Sequence, residues 1–280
     1  MEAARLPAIR SIRLDRRQLG LVALLLVLAA LAWLVTDDRM AGMDAGPGTD
    51  PGSLGFYVSA WVVMMAAMMF PSVAPMVLAY HRIQKRRREL GKSSARPGGT
   101  AVFVGGYLAS WTAFGLIAYG LFVAIRSIDI DALAWEEGGP YLAGGVIVAA
   151  ALYQLTPVKD ACLSKCRGPL SFVLGYWREG YGGALRMGVQ HGGWCVGCCW
   201  ALMAALFALG VMSVAWMAFV AALIAAEKTL PWGRATTWAV AALLLGLGVA
   251  LVAAPDAIPG LTVPDGAMDG GSRAGAMGMP

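Results

Sequence analysis

The sequence predicts an all-α polytopic membrane protein with about seven transmembrane helices and one short interfacial helix. Of its 280 residues, 59% are hydrophobic and only 14% are charged, against about 25% charged in ordinary globular domains. Several apolar runs reach the ~17–25 residues that a hydrocarbon core about 30 Å thick requires. Lys and Arg residues gather in alternate loops, which is typical of multi-pass chains.

Hydropathy places the predicted spans in order along the chain. The first has an apolar core of 17 residues, longer than the ~7–15 of a secretory signal, so we interpret it as a retained anchor. The fifth and sixth share a stretch of 39 residues. As one helix it would be about 58 Å long, so we expect a break near Gly210–Ser213. The predicted spans are Leu19–Val35, Phe56–Tyr80, Ala101–Ile125, Tyr141–Leu155, Gly188–Leu209, Val211–Ala226 and Ala235–Ala253.

Basic residues orient these spans. With a cytoplasmic N-terminus, only Arg39, Arg126 and Arg273 of the 22 Lys and Arg residues fall outside. Because positively charged loops stay inside, we expect this orientation in a bacterial inner membrane. Residues 1–18 then form a basic cytoplasmic segment and 19–253 the transmembrane domain, while 254–280 are a Met- and Gly-rich tail, disordered by composition.

The stretch GVQHGGWCVGCCWALM, residues 188–203, carries the clearest chemical signal. On a helix, His191, Cys195, Cys198 and Cys199 share one face. A buried cysteine is often only a small hydrophobe, but reactive groups within a membrane are costly and usually functional. Thiolates and imidazole suit Cu(I), Zn or Fe. The pattern therefore predicts metal ligation or redox chemistry.

A second pair of thiols, Cys162 and Cys166, lies four residues apart in TPVKDACLSKCRGP. The Thr-Pro start and the Gly-Pro end predict a short helix between them. We expect it at the cytoplasmic surface, on the same side as His191, where a structural disulfide is not expected. The sequence leaves open whether the two cysteine groups meet in space.

Four methionines occupy the outer half to the middle of the second span, before Pro71 and Pro75, which are expected to break or kink the helix. Methionine often serves only as a flexible core filler. Thioethers also bind Cu(I), and the thiol face of the fifth span reaches a similar depth. The candidate ligands are Met64, Met65, Met68 and Met69.

Three patterns occur together here: WxxMMAAMMxPxxxPMxxxYxR, TPxKxxCLxxCRxP and His-x₃-Cys-x-Gly-Cys-Cys-Trp, followed by a Glu-Lys pair. In this order they resemble a family of uncharacterised bacterial integral membrane proteins described as predicted metal-binding. The resemblance runs from about Phe56 to Lys228. It implies a membrane location and metal binding at these Cys, His and Met positions, without an activity or a metal.

The leading hypothesis is a membrane protein that binds, relays or transports Cu(I), with zinc or iron as other candidates. Its expected partners are the lipid bilayer and a metal donor or acceptor protein, with self-association left open. No basic stripe with interleaved aromatics suggests nucleic acid. No P-loop or hydrolase motif suggests an enzyme, and no catalytic residue is assigned.

Two alternatives remain at this point. One is a membrane thiol oxidoreductase, in which Cys195 and Cys198 form a redox pair that exchanges with Cys162 or Cys166. The other is a structural subunit of a larger membrane complex, for which helices rich in small residues suffice.

Overall fold

The computed structural model describes residues 16–40, 52–91, 97–127, 139–209 and 213–253, and these ranges contain helices and no β-strand. The all-α prediction is therefore confirmed for them. The predictions for residues 1–15 and for the tail after residue 253 lie outside the described residues. The helices in these ranges are α1 (Arg16–Met40), α2 (Leu54–Glu89), α3 (Gly99–Arg126), α4 (Gly139–Gln154), α5 (Pro157–Arg167), α6 (Pro169–Gly175), α7 (Gly180–Leu209), α8 (Val214–Thr229) and α9 (Arg234–Ala253).

Five of these helices, α1, α2, α3, α7 and α9, are long and apolar enough to cross a membrane. Helices α4 and α8 have 16 residues each, slightly fewer than the ~17–25 of a usual span. Helices α4 and α5 meet at a bend of 68° and together would make a sixth candidate. Each predicted span thus overlaps a helix, and the count of seven crossings stays a prediction.

Large apolar side chains cover the outside of the bundle. Leu34 of α1 is 67% exposed and Ile117 of α3 is 69% exposed. Water-soluble proteins rarely expose continuous apolar surface of this kind. Together with the five long apolar helices, this surface indicates a membrane protein.

The break predicted in the long apolar stretch is confirmed, because α7 ends at Leu209 and α8 begins at Val214. Two other boundaries differ from the sequence prediction. Helix α7 begins at Gly180, two turns before the predicted span. Hydropathy detects only the apolar part of a helix, and this helix extends beyond its apolar part. Of the break or kink expected in the second span, the break is wrong, because α2 is one helix of 36 residues that contains both Pro71 and Pro75; a kink there stays a prediction.

Helices α3 and α7 approach so closely that only glycine fits at their contact. A Cβ added at Gly188 would overlap the backbone carbonyl of Phe103, and one added at Gly106 would overlap that of Leu185. The Ser110 hydroxyl donates to the Val189 carbonyl across the same contact at 2.9 Å. Small residues at such contacts are typical of helix packing in membranes.

Aromatic side chains set the position of α2 against α7. The ring centroids of Trp61 and Phe207 lie 6.0 Å apart, and the Trp61 indole donates to the Trp111 carbonyl of α3 at 2.8 Å. Near the other end of α2, the ring of Tyr80 stacks on that of Phe103 at 4.7 Å. The early part of α2 therefore lies beside the late part of α7. The late part of α2 contacts Phe103 of α3, which itself packs on Gly188 in the earlier part of α7, so α2 and α7 run antiparallel.

We predict that Gly188→Ala lowers the midpoint of thermal unfolding, because its new methyl group overlaps backbone atoms of α3, and overpacking of this kind costs about 1–3 kcal/mol. Gly193→Ala is the matched control on the same helix, since a Cβ there meets nothing within 4 Å. Alanine favours a helix over glycine, so this variant should be neutral or slightly more stable. Thermal unfolding in detergent, followed by circular dichroism, measures both, and equal midpoints would contradict the prediction.

Candidate metal centre

Three thiols from two helices converge inside the bundle: Cys166 of α5 with Cys195 and Cys198 of α7. Their sulfur atoms all lie within 4.8 Å of one another, and those of Cys166 and Cys198 are 3.7 Å apart. Sulfurs that share one ion at metal–sulfur distances of about 2.3 Å have a similar spacing. The spacing of these sulfur atoms therefore fits a sulfur-rich metal site.

The three converging thiols differ in exposure. Cys195 is 0% exposed and Cys198 is 1% exposed, whereas Cys166 is partly exposed. All five cysteines of the chain are free thiols. Cys166 is therefore the most exposed of the three converging thiols.

Helix α5 has the local signals that the sequence predicted. The Thr156 hydroxyl caps its first turn by accepting the backbone N–H of Lys159 at 3.3 Å, and Pro157 occupies the first turn. Such a cap commonly stabilises a helix by about 1 kcal/mol. The helix then ends at Arg167, before Gly168 and the second proline. The prediction of a short helix at this place is confirmed.

A buried ion pair holds α5 against α8. The Lys159 ammonium donates to the Glu227 carboxylate at 2.6 Å, and the two side chains are 0% and 1% exposed. The Arg167 guanidinium donates to the backbone carbonyls of Glu227 at 2.6 Å and of Leu230 at 3.2 Å. Since cations are favourable at the carbonyl end of a helix, these contacts tie the end of α8 to the helix that carries Cys166.

Two polar side chains contact the most deeply buried thiol, Cys195. The Lys228 ammonium donates to its sulfur at 3.0 Å, and the Tyr107 hydroxyl forms a hydrogen bond with the same atom at 3.1 Å. The ammonium also donates to the Ser72 hydroxyl of α2 at 3.4 Å. The positive charge offsets negative charge that thiolate ligands would bring into a low-dielectric interior.

His191 lies beside the three converging thiols and is not one of the converging donors. Its ring is 2% exposed, with centroids 5.8 Å from that of Tyr107 and 5.1 Å from that of Phe172. The Nδ1 atom is buried without a hydrogen-bond partner. His191 thus lies one helical turn before Cys195 in an aromatic pocket. Its Nδ1 atom is available for a hydrogen bond or for an ion.

The other two predicted thiols lie at the edge of the group. The sulfur of Cys199 is 3.3 Å from that of Cys198, but it is not within reach of all three converging sulfurs. Cys162 packs instead on the backbone of α7, where a Cβ added at Gly197 would come within 2.7 Å of its sulfur. The two cysteine groups therefore do meet, through Cys166.

The four candidate methionines are buried, with exposures of 3% or less. On α2, Trp61 precedes the methionines and packs on Phe207 of α7. Ser72 follows them and contacts Lys228, whose ammonium also reaches Cys195 of α7. The methionines therefore occupy the part of α2 that runs from the level of the thiols toward the end of α7. These residues are Met64, Met65, Met68 and Met69.

Sequence reasoning did not find the polar residues around the site. At the end of an apolar helix, Glu227 and Lys228 are compatible with interfacial charges, and Glu227 also with a carboxylate that orients a ligand histidine. In the structure Glu227 pairs with Lys159, and Lys228 contacts Cys195. Lys159 is part of the TPxK pattern, but the sequence does not indicate that it pairs with Glu227. No sequence signal marks Tyr107, since an aromatic residue in an apolar helix is ordinary.

An all-helical bundle with apolar helices of membrane-spanning length and a buried group of thiols fits a membrane protein with a candidate metal site. A family model described as PpoB2, copper chaperone, matches residues 58–251. The chain therefore belongs to this copper chaperone family, and the match includes every cysteine. Comparisons with curated proteins and with solved structures found no match.

We predict that Lys159→Met destabilises the protein by about 3–5 kcal/mol, because it leaves the Glu227 carboxylate buried without its partner. The double variant Lys159→Met/Glu227→Leu should recover much of this loss, since it removes both charges. Lys165→Met, at a partly exposed position of α5, is the control. Unfolding midpoints in detergent measure all three, and a Lys159→Met midpoint equal to that of the control would show that the ion pair is unimportant.

Proposed function

We propose that this chain binds Cu(I) through Cys166, Cys195 and Cys198 and exchanges it with a partner, as a copper-handling protein of a bacterial inner membrane. The convergence of three sulfur atoms from two helices carries the proposal. Membership of a copper chaperone family supports copper as the metal. Soft sulfur ligands favour Cu(I) over hard cations such as magnesium or calcium.

The number of converging donors also favours Cu(I) over zinc. Structural zinc sites are almost always four-coordinate, whereas Cu(I) accepts two or three sulfur ligands. Among the described residues, the converging group contains three donors. Cys199 and His191 lie next to it and would complete a larger ligand set only after a side chain moves.

The direction of exchange follows from the proposed topology, with the N-terminus in the cytoplasm and seven spans. The three thiols then lie toward the cytoplasmic face, and the four methionines on α2 lead outward from them. Thioethers would meet Cu(I) first from the outer side and pass it to the thiols, which bind it more tightly. Cys166, the partly exposed thiol, is the ligand from which an incoming thiolate on a partner would take the ion.

A thiol oxidoreductase is the second candidate, because the sulfurs of Cys166 and Cys198 lie only 3.7 Å apart. A disulfide between these residues would link α5 to α7 and remove two proposed ligands at once. Alkylation-shift assays on membranes distinguish the two functions. A pair that cycles between thiol and disulfide during growth favours the oxidoreductase, and thiols that stay reduced favour metal exchange.

We predict that Cys195→Ser/Cys198→Ser lowers Cu(I) affinity by more than roughly 100-fold, since the loss of two ligands should exceed the ~10–100-fold effect of an outer-shell change. Cys162→Ser is the matched control, because it removes a thiol that packs on Gly197 outside the group. Competition with a chromogenic Cu(I) chelator under reducing conditions gives the affinities. Equal affinities in the double variant and the control would rule out the proposed ligands.

We predict that Lys228→Met lowers Cu(I) affinity by roughly 10–100-fold, since the variant removes the cation that contacts Cys195 while it keeps the thiols. Lys228→Arg should retain more affinity because it keeps the charge. The same chelator competition measures both variants. An affinity for Lys228→Met equal to that of the wild type would show that this charge does not support the ion.

We predict that a maleimide reagent labels Cys166 first in the metal-free protein, because the other thiols of the group are almost fully buried. Bound Cu(I) should slow this labelling strongly, since the ion occupies the sulfur. Mass spectrometry of peptides after timed labelling identifies the modified residue. Labelling that starts at Cys195 or Cys198, or that copper does not change, would contradict exchange through Cys166.

A further inference from the structure

A cavity separate from the thiol group opens where α4 bends into α5, and it faces the first turn of α9. Its volume is about 300 Å³. Its polar lining consists of Gln154, Asp160, Arg234 and Thr237. None of these residues belongs to the proposed metal site, so this cavity needs its own explanation.

Gln154 lines this cavity and carries a buried carboxamide. The residue is 1% exposed, and neither its oxygen nor its nitrogen has a hydrogen-bond partner. Buried polar groups are normally paired, because an unpaired one loses the hydrogen bonds that water would have made. A ligand in this cavity that carries a hydrogen-bond acceptor or donor would satisfy the group.

The mouth of the cavity presents one cation and one anion. The Arg234 guanidinium lies 3.7 Å from the Asp160 carboxylate, and the two side chains are 85% and 44% exposed. At this distance the pair is loose, so both groups keep hydrogen-bonding capacity for a ligand. Arg234 also begins α9, and the free N–H groups of a helix N-terminus favour an anion there.

The rim of the cavity is apolar and faces outward. Leu155 and Trp238 line it and are 46% and 62% exposed. Leu152 and Val158, on either side of the bend between α4 and α5, are 60% and 59% exposed. Exposed tryptophan beside charged residues is typical of the level of lipid headgroups. The ligand that fits this rim has hydrocarbon chains as well as charges.

We infer that this cavity binds a phospholipid with a primary ammonium and a phosphodiester in its headgroup, of the phosphatidylethanolamine type. The ammonium pairs with Asp160, and the phosphate pairs with Arg234 and the first turn of α9. The Gln154 carboxamide then faces the polar oxygens of the lipid, and the acyl chains run along Leu155 and Trp238. This inference depends on the proposed membrane location but not on copper binding.

Native mass spectrometry of the delipidated full chain in detergent tests the inference with phosphatidylethanolamine, phosphatidylcholine and phosphatidylglycerol. We expect the ethanolamine lipid to bind at least about tenfold more tightly than the other two, a difference worth about 1.4 kcal/mol. The choline headgroup has no N–H to donate to Asp160, and the glycerol headgroup has no cation. Phosphoethanolamine and inorganic phosphate, tested as soluble probes, should bind far more weakly than the lipid.

The variants Gln154→Leu, Asp160→Asn and Arg234→Gln should each reduce the preference for the ethanolamine lipid. Lys165→Gln, which changes a charge on α5 away from the cavity lining, is the matched control. Helical content and the midpoint of thermal unfolding, both measured by circular dichroism, show that each variant is folded. If Gln154→Leu does not fold, the conservative Thr237→Val replaces it.

Equal binding of the three lipids, or unchanged binding in all the variants, would overturn the inference and leave only ordinary contact with the bilayer. Strong binding of a soluble probe in the absence of lipid would overturn it in favour of a small zwitterion or free phosphate. Lipid binding that fails while Cu(I) binding persists would leave the proposed copper function intact.

Discussion

The buried ion pair between Lys159 and Glu227 is the constraint on which the thiol site depends. It fixes α5, a short helix, against the end of α8 with side chains that are almost fully buried. Together with the contacts of Arg167 with the end of α8, it keeps Cys166 opposite Cys195 and Cys198 of α7. A buried pair adds little net stability compared with an apolar pair, so its value here is in fixing a position.

The surroundings of the thiols suit an ion that has left water. Glycine contacts bring α3 against α7, which places Tyr107 on the sulfur of Cys195. Lys228 reaches the same sulfur from α8 and also contacts α2 through Ser72. Helices α3, α7 and α8 thus meet at one sulfur atom, and α2 contacts the same ammonium through Ser72, so the protein itself supplies hydrogen bonds and a positive charge to the thiols. Buried polar groups and charges need such partners, because no water reaches them.

Much of the fold was predictable because its local signals are strong. The Thr-Pro start of α5 and the break after Leu209 follow from capping chemistry and from the length of an apolar run. The choice between Cys162 and Cys166 was not predictable, because both share one helix face and only the packing of α5 separates them. The path of α2 through Pro71 and Pro75 and the inward direction of Lys228 likewise depend on neighbouring helices.

X-ray absorption at the copper edge tests most directly whether Cys166, Cys195 and Cys198 hold one Cu(I). For the loaded wild-type protein, the account predicts a first shell of three sulfur atoms at about 2.3 Å. Cys166→Ser should reduce this shell to two sulfur atoms, and Cys162→Ser should leave it unchanged. A shell of nitrogen or oxygen atoms, or one that is the same in the wild type and Cys166→Ser, would contradict the account.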